Sequence, residues 1–208
     1  RPFMEGMGLQ IKTNAGRLEG WLDWTSRQTD TIREAFLIGI TGNWEMNSFF
    51  FKHQLLALHY ANPRISSPED HIQDNIGIVL TAGIEENNLL LFDAFSIEAG
   101  TILSLDRLRG VYGWQTPAGL FAQTHLNYKL FSIDASYYTG DAHNLKYGDN
   151  FYRSSNYARV DGNLHLFTSK KAEGLVQFSV HSIEGEINYS QLFRLLVKLE
   201  PFLYSFSE

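Results

Sequence analysis

Polar and apolar residues alternate with a period of two through three successive runs between Tyr157 and Glu200. In the first run Tyr157, Arg159, Asp161, Asn163 and His165 fall on one side, and Ala158, Val160, Gly162, Leu164 and Leu166 on the other. The second sets Gly174, Val176, Phe178 and Val180 against Gln177, Ser179 and His181. The third sets Ile187, Tyr189, Phe193, Leu195, Val197 and Leu199 against Asn188, Ser190, Arg194, Lys198 and Glu200. Period two over about ten residues predicts strands with one polar and one apolar face, and about ten residues let a tilted strand cross a bilayer.

The same pattern predicts strands over Gly8–Thr13, Leu18–Thr25, Glu34–Trp44, Phe49–Tyr60, Asn75–Ile84, Leu89–Ile97, Ala118–Tyr128 and Phe131–Tyr137. Thr101–Leu105 extends the sixth, and Asp106–Thr116 reads as a projecting loop. At Lys129-Leu130 the apolar phase moves by one residue, from Leu120, Ala122, Thr124 and Leu126 to Phe131, Ile133, Ala135 and Tyr137. A reversal of the chain leaves that phase change. No helical stripe of useful length is present, so the fold class is all-β with about eleven strands.

The connections carry the topology. They are short at 14–17, 45–48, 85–88, near 129 and at 168–172, and longer at 26–33, 61–74, 106–116 and 140–156; only the final one, 182–186, is short for its place. Such alternation predicts an antiparallel up-and-down transmembrane β-barrel, with tight turns on one side of the membrane and long loops on the other. An odd number of strands leaves the first and last running the same way, whereas bacterial barrels normally count an even number. Residues 1–208 are therefore expected to form a single barrel domain that is the C-terminal portion of a larger wall, completed by upstream strands or by another protein chain.

Composition narrows the class. A net charge of −6 provides no basic stripe for phosphate backbones, so nucleic acid is excluded as a partner. The chain has no cysteine, hence no disulfide and no thiolate metal site, and no apolar run long enough for a membrane helix. Trp21, Trp24, Trp44 and Trp114, with Tyr60, Tyr128, Tyr137, Tyr138 and Tyr189, fall near strand ends and are expected in aromatic girdles. The segments 127–141, 147–153 and 157–161 (Asn-Tyr-Lys-Leu-Phe-Ser-Ile-Asp-Ala-Ser-Tyr-Tyr-Thr-Gly-Asp, Tyr-Gly-Asp-Asn-Phe-Tyr-Arg and Tyr-Ala-Arg-Val-Asp) resemble the C-terminal half of porin-like outer-membrane β-barrels of Gram-negative bacteria. That resemblance implies a bacterial outer-membrane location and the lipid bilayer as partner, and supplies no catalytic residues.

The candidate chemistry lies on the polar faces. Arg159, Asp161, His165, His181 and Arg194, with His125 and Asp134, are expected to line the lumen as an ion-pair and hydrogen-bond network or as a solute-selecting constriction. Asp149 and Arg153 are expected in an external loop. A metal site from His181, Glu184 and Glu186 is disfavoured because neighbours on a strand point to opposite faces, so neither metal nor cofactor is expected. His125 and Asn127 share a face, yet no serine is marked as a nucleophile by its context. The expectation is a pore, transport or structural envelope component without enzymatic activity. A soluble β-sandwich binding carbohydrate is the alternative, and an outer-membrane lipid hydrolase a weaker one.

Overall fold

Amphipathic runs become strands in the computed structural model, which describes residues 5–148, 150–169 and 171–197. They are β1 (Gly6–Thr13), β2 (Gly16–Ser26), β3 (Ala35–Met46), β4 (Phe49–Tyr60), β5 (Gln73–Leu89), β6 (Phe92–Leu108), β7 (Tyr112–Gln115), β8 (Ala118–Tyr128), β9 (Phe131–Gly140), β10 (Asn156–Thr168), β11 (Ala172–Ile183) and β12 (Glu186–Val197). The only helical turn among the described residues is a 3₁₀ turn at Asn150–Arg153. Eleven long strands follow one another in chain order, each antiparallel to the next, and β7 is a short flap on β6. The fold is thus all-β and up-and-down. Among the described residues β1 and β12 are the open edges of the sheet. Positions 198–200, expected in the last strand, lie outside the described residues.

Two boundaries differ from the sequence reading. The turn expected at Glu85–Asn88 is strand: Glu85 pairs with Ser96 and Glu86 with Phe95, and the reversal falls at Leu90-Leu91, with Asn88 and Leu90 at positive φ. Strand ends that project beyond hydrocarbon can be polar, so the composition there imitates a turn. Likewise β6 continues to Leu108, and Tyr112 folds back on it as β7 instead of leaving a free loop.

Register decides which side chains share a face. Ser104 stands opposite Gly77, Gly77 opposite Leu56, Leu56 opposite Gly39, and Gly39 opposite Trp21. A second row on the same face, displaced along β6, is Thr81, Gly100, Phe121, Tyr138, Tyr157 and Ile183. This inner face contains the buried polar residues Asn75, Thr81, Ser104, Asp106, Ser132, Asp161 and Ser179. The outer face carries Ile38, Ile40, Phe51, Ile97, Leu120, Ile133, Val160, Phe178 and Phe193, all exposed. Burial is inverted relative to a water-soluble protein, which would bury that apolar surface. A lipid-facing wall around a polar interior accounts for it.

At the long-loop end the outer face changes character. Asp74 accepts hydrogen bonds from Arg107 Nε (3.0 Å) and Arg109 Nε (3.1 Å), and lies 2.7 Å from His59 Nδ1. The Arg107 guanidinium stacks over Trp114 at 4.3 Å, and Trp24 packs against Phe36 with ring centroids 5.0 Å apart. Charges on aromatic rings suit the headgroup depth of a membrane and not its hydrocarbon. Trp21, Tyr60 and Tyr138 leave this girdle. Each occupies an inner-face register position, and the Trp21 ring lies so close over Gly39 that a Cβ there would meet Trp21 Cε2 at 2.2 Å.

The two faces predict opposite responses to charge. Phe178→Arg on the outer face is expected to destabilise the protein by about 2–4 kcal/mol in phospholipid vesicles. Gln177→Arg, one residue away on the inner face, is expected to cost well under half of that, as measured by urea unfolding in the same vesicles.

Candidate active site

The connection after β9 does not project outward. At Gly140 φ is +153°, and a Cβ there would lie 2.3 Å from the Gly119 Cα. Only glycine allows this conformation and close approach together, and the chain turns in over the inner face. Asp141 N donates to Ala118 O (2.9 Å), the Tyr138 hydroxyl donates to Asp141 O (2.6 Å), and His143 N donates to Tyr152 O (2.7 Å). Asn75 of β5 then clasps the loop from below, its Nδ2 donating to Asn144 O (2.6 Å) and its Oδ1 accepting from Lys146 N (3.1 Å).

Asp106 anchors the assembly. Its carboxylate accepts from Tyr112 Oη (2.6 Å), Asn75 Nδ2 (2.8 Å) and Asn144 Nδ2 (3.1 Å), so β5, β7 and the loop converge on one buried charge. Such a charge is tolerable only when fully hydrogen-bonded. Two residues along the same face, Ser104 Oγ lies 2.8 Å from His143 Nδ1. Ser104 is 1% exposed and His143 2%, with the imidazole tilted against the Tyr138 ring at 5.8 Å. His143 Nε2 is buried with no hydrogen-bond partner. A hydroxyl donating to a neutral imidazole is the arrangement that readies serine for attack on an ester, because the ring can take up the proton as the bond to carbon forms.

A largely apolar cavity of about 220 Å³ opens on the same face; neither Ser104 nor His143 lines it, and Gly77 links it to the pair. Trp21, Leu56, Leu58, Val79 and the loop residue Leu145 line it, together with Gly39 and Gly77. It continues the buried apolar cluster of Ile102, Phe121, Tyr138 and Tyr157 on the same face, against which Val79 and Leu145 pack, and Gly77 is the cross-strand neighbour of Ser104.

All seven residues expected in the lumen take inner-face positions. Arg159 Nε bonds Asp161 at 2.7–2.9 Å, and His181, opposite Arg159 in register, lies 2.9 Å from the Tyr157 hydroxyl. His125 Nδ1 lies 2.6 Å from Asp134 Oδ1, across the β8–β9 ladder. His165 reaches Ser132 at 3.5 Å, and Arg194 pairs separately with Glu173 at 3.3 Å, so neither joins the Arg159 cluster. Arg153 is exposed in the loop after β9; Asp149 lies outside the described residues. His181, Glu184 and Glu186 do not converge: Glu184 Oε1 instead accepts from Ser155 N and from Asn156 N (3.2 Å). No metal-binding group of His, Asp or Glu is present among the described residues.

The sequence reading did not single out Ser104, Asp106 and His143. Ser104 and Asp106 alternate with Leu103 and Leu105, a strand signal in a segment that ends among charged residues, while His143 sits in a loop whose inward course no local pattern records. Ser96, also missed, occupies the register position opposite His125 on the side away from Asp134.

A barrel-type sheet with a lipid-facing exterior, holding a buried serine–histidine pair inside, defines a class of membrane-embedded protein equipped for ester chemistry. Residues 1–207 match the family described as Lipid A 3'-O-deacylase-type, and the chain belongs to that family. No curated protein and no solved structure matches it. Membership in an enzyme family overturns the expectation of a chain without enzymatic activity, which rests on there being no serine marked as a nucleophile by its context for His125 or His181.

Burial lowers the His143 pKa from 6.5, opposed by the nearby Asp141 carboxylate. The unfolded chain then binds this proton more readily than the folded one. The contribution of neutral His143 to stability is full above about 6.5 and declines as pH falls through the folded value. The His143 Cε1–H resonance is expected to titrate with a midpoint below 6.5. Denaturation midpoints should fall with acidification below about pH 6.5 more steeply than in His143→Gln.

Proposed function

We propose that the protein is an outer-membrane hydrolase that removes ester-linked acyl chains from lipid A, with Ser104 as nucleophile and His143 as base. The 2.8 Å contact between Ser104 Oγ and His143 Nδ1 carries this reading, and membership of the deacylase-type family supports it. Ser104 Oγ attacks the acyl carbonyl while its proton passes to His143 Nδ1. Collapse of the tetrahedral intermediate breaks the bond to the sugar oxygen, which leaves with the proton from His143. Water, deprotonated by the same imidazole, then releases the fatty acid and restores the serine.

Placement agrees with such a substrate. Long connections lie outside in outer-membrane barrels, and Ser104 sits at the strand end nearest them, with the loop after β9 as a cover. The charged and aromatic rim of Asp74, Arg107, Arg109, Trp24 and Trp114 is on the same end, at the depth where lipid headgroups lie. Both 1–2% exposures require that cover to lift for substrate to enter.

A second arrangement stands against it. Ser96, His125 and Asp134 occupy one register row across β6, β8 and β9, and the 2.6 Å contact from His125 Nδ1 to Asp134 leaves Nε2 turned away from the carboxylate. This row is open to the lumen but lies near the short turns, far from the cover.

Substitution separates the two. Ser104→Ala and His143→Gln are each expected to reduce kcat for release of fatty acid from purified lipid A by about a thousandfold or more, with Ser96→Ala and His125→Gln near the parent rate. The reverse pattern would transfer the assignment to the Ser96 row.

A further inference from the structure

The cavity lined by Gly77, the cross-strand neighbour of Ser104, has the chemistry of a hydrocarbon site. We infer that it is the acyl-chain pocket of the reaction, entered past Gly77 and gated by Leu145; this rests on the assignment of Ser104 as nucleophile. Four observations converge on one occupant. Trp21, Leu56, Leu58, Val79 and Leu145 supply most of the cavity's lining, and Val79 and Leu145 also pack against the buried Ile102 cluster, so the apolar surface continues beyond it. Gly77 stands directly opposite Ser104 in the β5–β6 ladder, so any side chain at 77 would stand between the hydroxyl and the cavity. A Cβ built at Gly77 would meet Leu145 Cδ2 at 2.8 Å, which places the leucine tip over this doorway. Gly39 forms part of the opposite wall and lets the Trp21 ring lie flat against the sheet, for a Cβ there would meet Trp21 Cε2 at 2.2 Å.

An acyl ester with its carbonyl at Ser104 Oγ would therefore run its chain across Gly77 toward Trp21. Leu145 fills the entrance in the free protein and moves aside with the loop, so that the apolar contacts the leucine gives up are replaced by contacts with the chain. Thr41, Gln54, Asn75 and Tyr147 are the polar side chains of the lining and the rest is apolar, so a hydrocarbon chain suits it better than a headgroup with many hydrogen bonds to satisfy. Chain length then becomes a property of the distance from Ser104 to Trp21 and of the side chains at positions 39, 77 and 145.

The test uses the full-length protein in detergent with Trp21 as the sole tryptophan (Trp24, Trp44 and Trp114 replaced by Phe) and also carrying Ser104→Ala. A long-chain fatty acid brominated near its methyl end is expected to quench Trp21 saturably, whereas brominated acetate leaves it unchanged. Gly77→Val is expected to abolish the quenching. Leu145→Phe, which fills the entrance from the loop and leaves β5 untouched, should weaken it at least tenfold should the valine variant not fold. In the parent background Gly77→Val should slow hydrolysis of p-nitrophenyl laurate at least tenfold more than that of p-nitrophenyl acetate. Absence of quenching, or equal loss on both esters, overturns the pocket. Saturable quenching in a protein whose Ser104→Ala form still hydrolyses lipid A would uphold the pocket and overturn the nucleophile.

Discussion

Everything in this chain follows from one constraint: within hydrocarbon no water is available to pair a backbone amide, so the polypeptide must satisfy its own N–H and C=O groups. An uninterrupted ladder from β1 to β12 does this for the strands between. Once the ladder is fixed, period-two alternation assigns each side chain to lipid or to the interior without further choice. The exposed Ile40, Phe51, Leu120 and Phe178 and the buried Asn75, Asp106 and Asp161 are two aspects of that assignment.

An interior made of polar side chains is cohesive only where hydrogen bonds close. Around Asp106 they do, through Tyr112, Asn75 and Asn144, and this closure pulls the connection after β9 inward. Packing of Leu145 over Gly77 and of Tyr152 on Tyr138 completes the seal. The serine–histidine pair is a product of the same geometry. Ser104 comes from a strand and His143 from a loop held by backbone hydrogen bonds at Asp141 and by Asn75, so the pair joins two separately anchored elements.

Much of the fold was legible. Period-two runs located all eleven long strands, and the switch of phase at Lys129-Leu130 correctly announced a hairpin, where Lys129 adopts φ of 54°. The same rule groups His125, Asp134, Arg159, Asp161, His165, His181 and Arg194 together, and the register puts them on one face of the sheet. Failures arose where local composition answers to something other than the bilayer. Glu85–Asn87 are polar because that end of the β5–β6 hairpin stands clear of hydrocarbon, and they were read as a turn. Trp21 is aromatic near a strand end but packs on Gly39, a relation visible only in the β2–β3 register. The site itself was hidden for a stronger reason: Ser104 and His143 are 39 positions apart, and Asn75 and Asn144 are 69 apart, so no window of sequence contains them together.

That separation has a consequence for the life of the chain. Ser104 lies on β6 and His143 beyond β9, so the two approach each other only after β8 and β9 have zipped onto β6 and Asn75 has captured the loop. A nascent polypeptide has Ser104 and His143 on separate segments. The pair is therefore absent from any chain whose sheet stops at β8, and it is assembled once β9 has joined the wall and the loop has been captured.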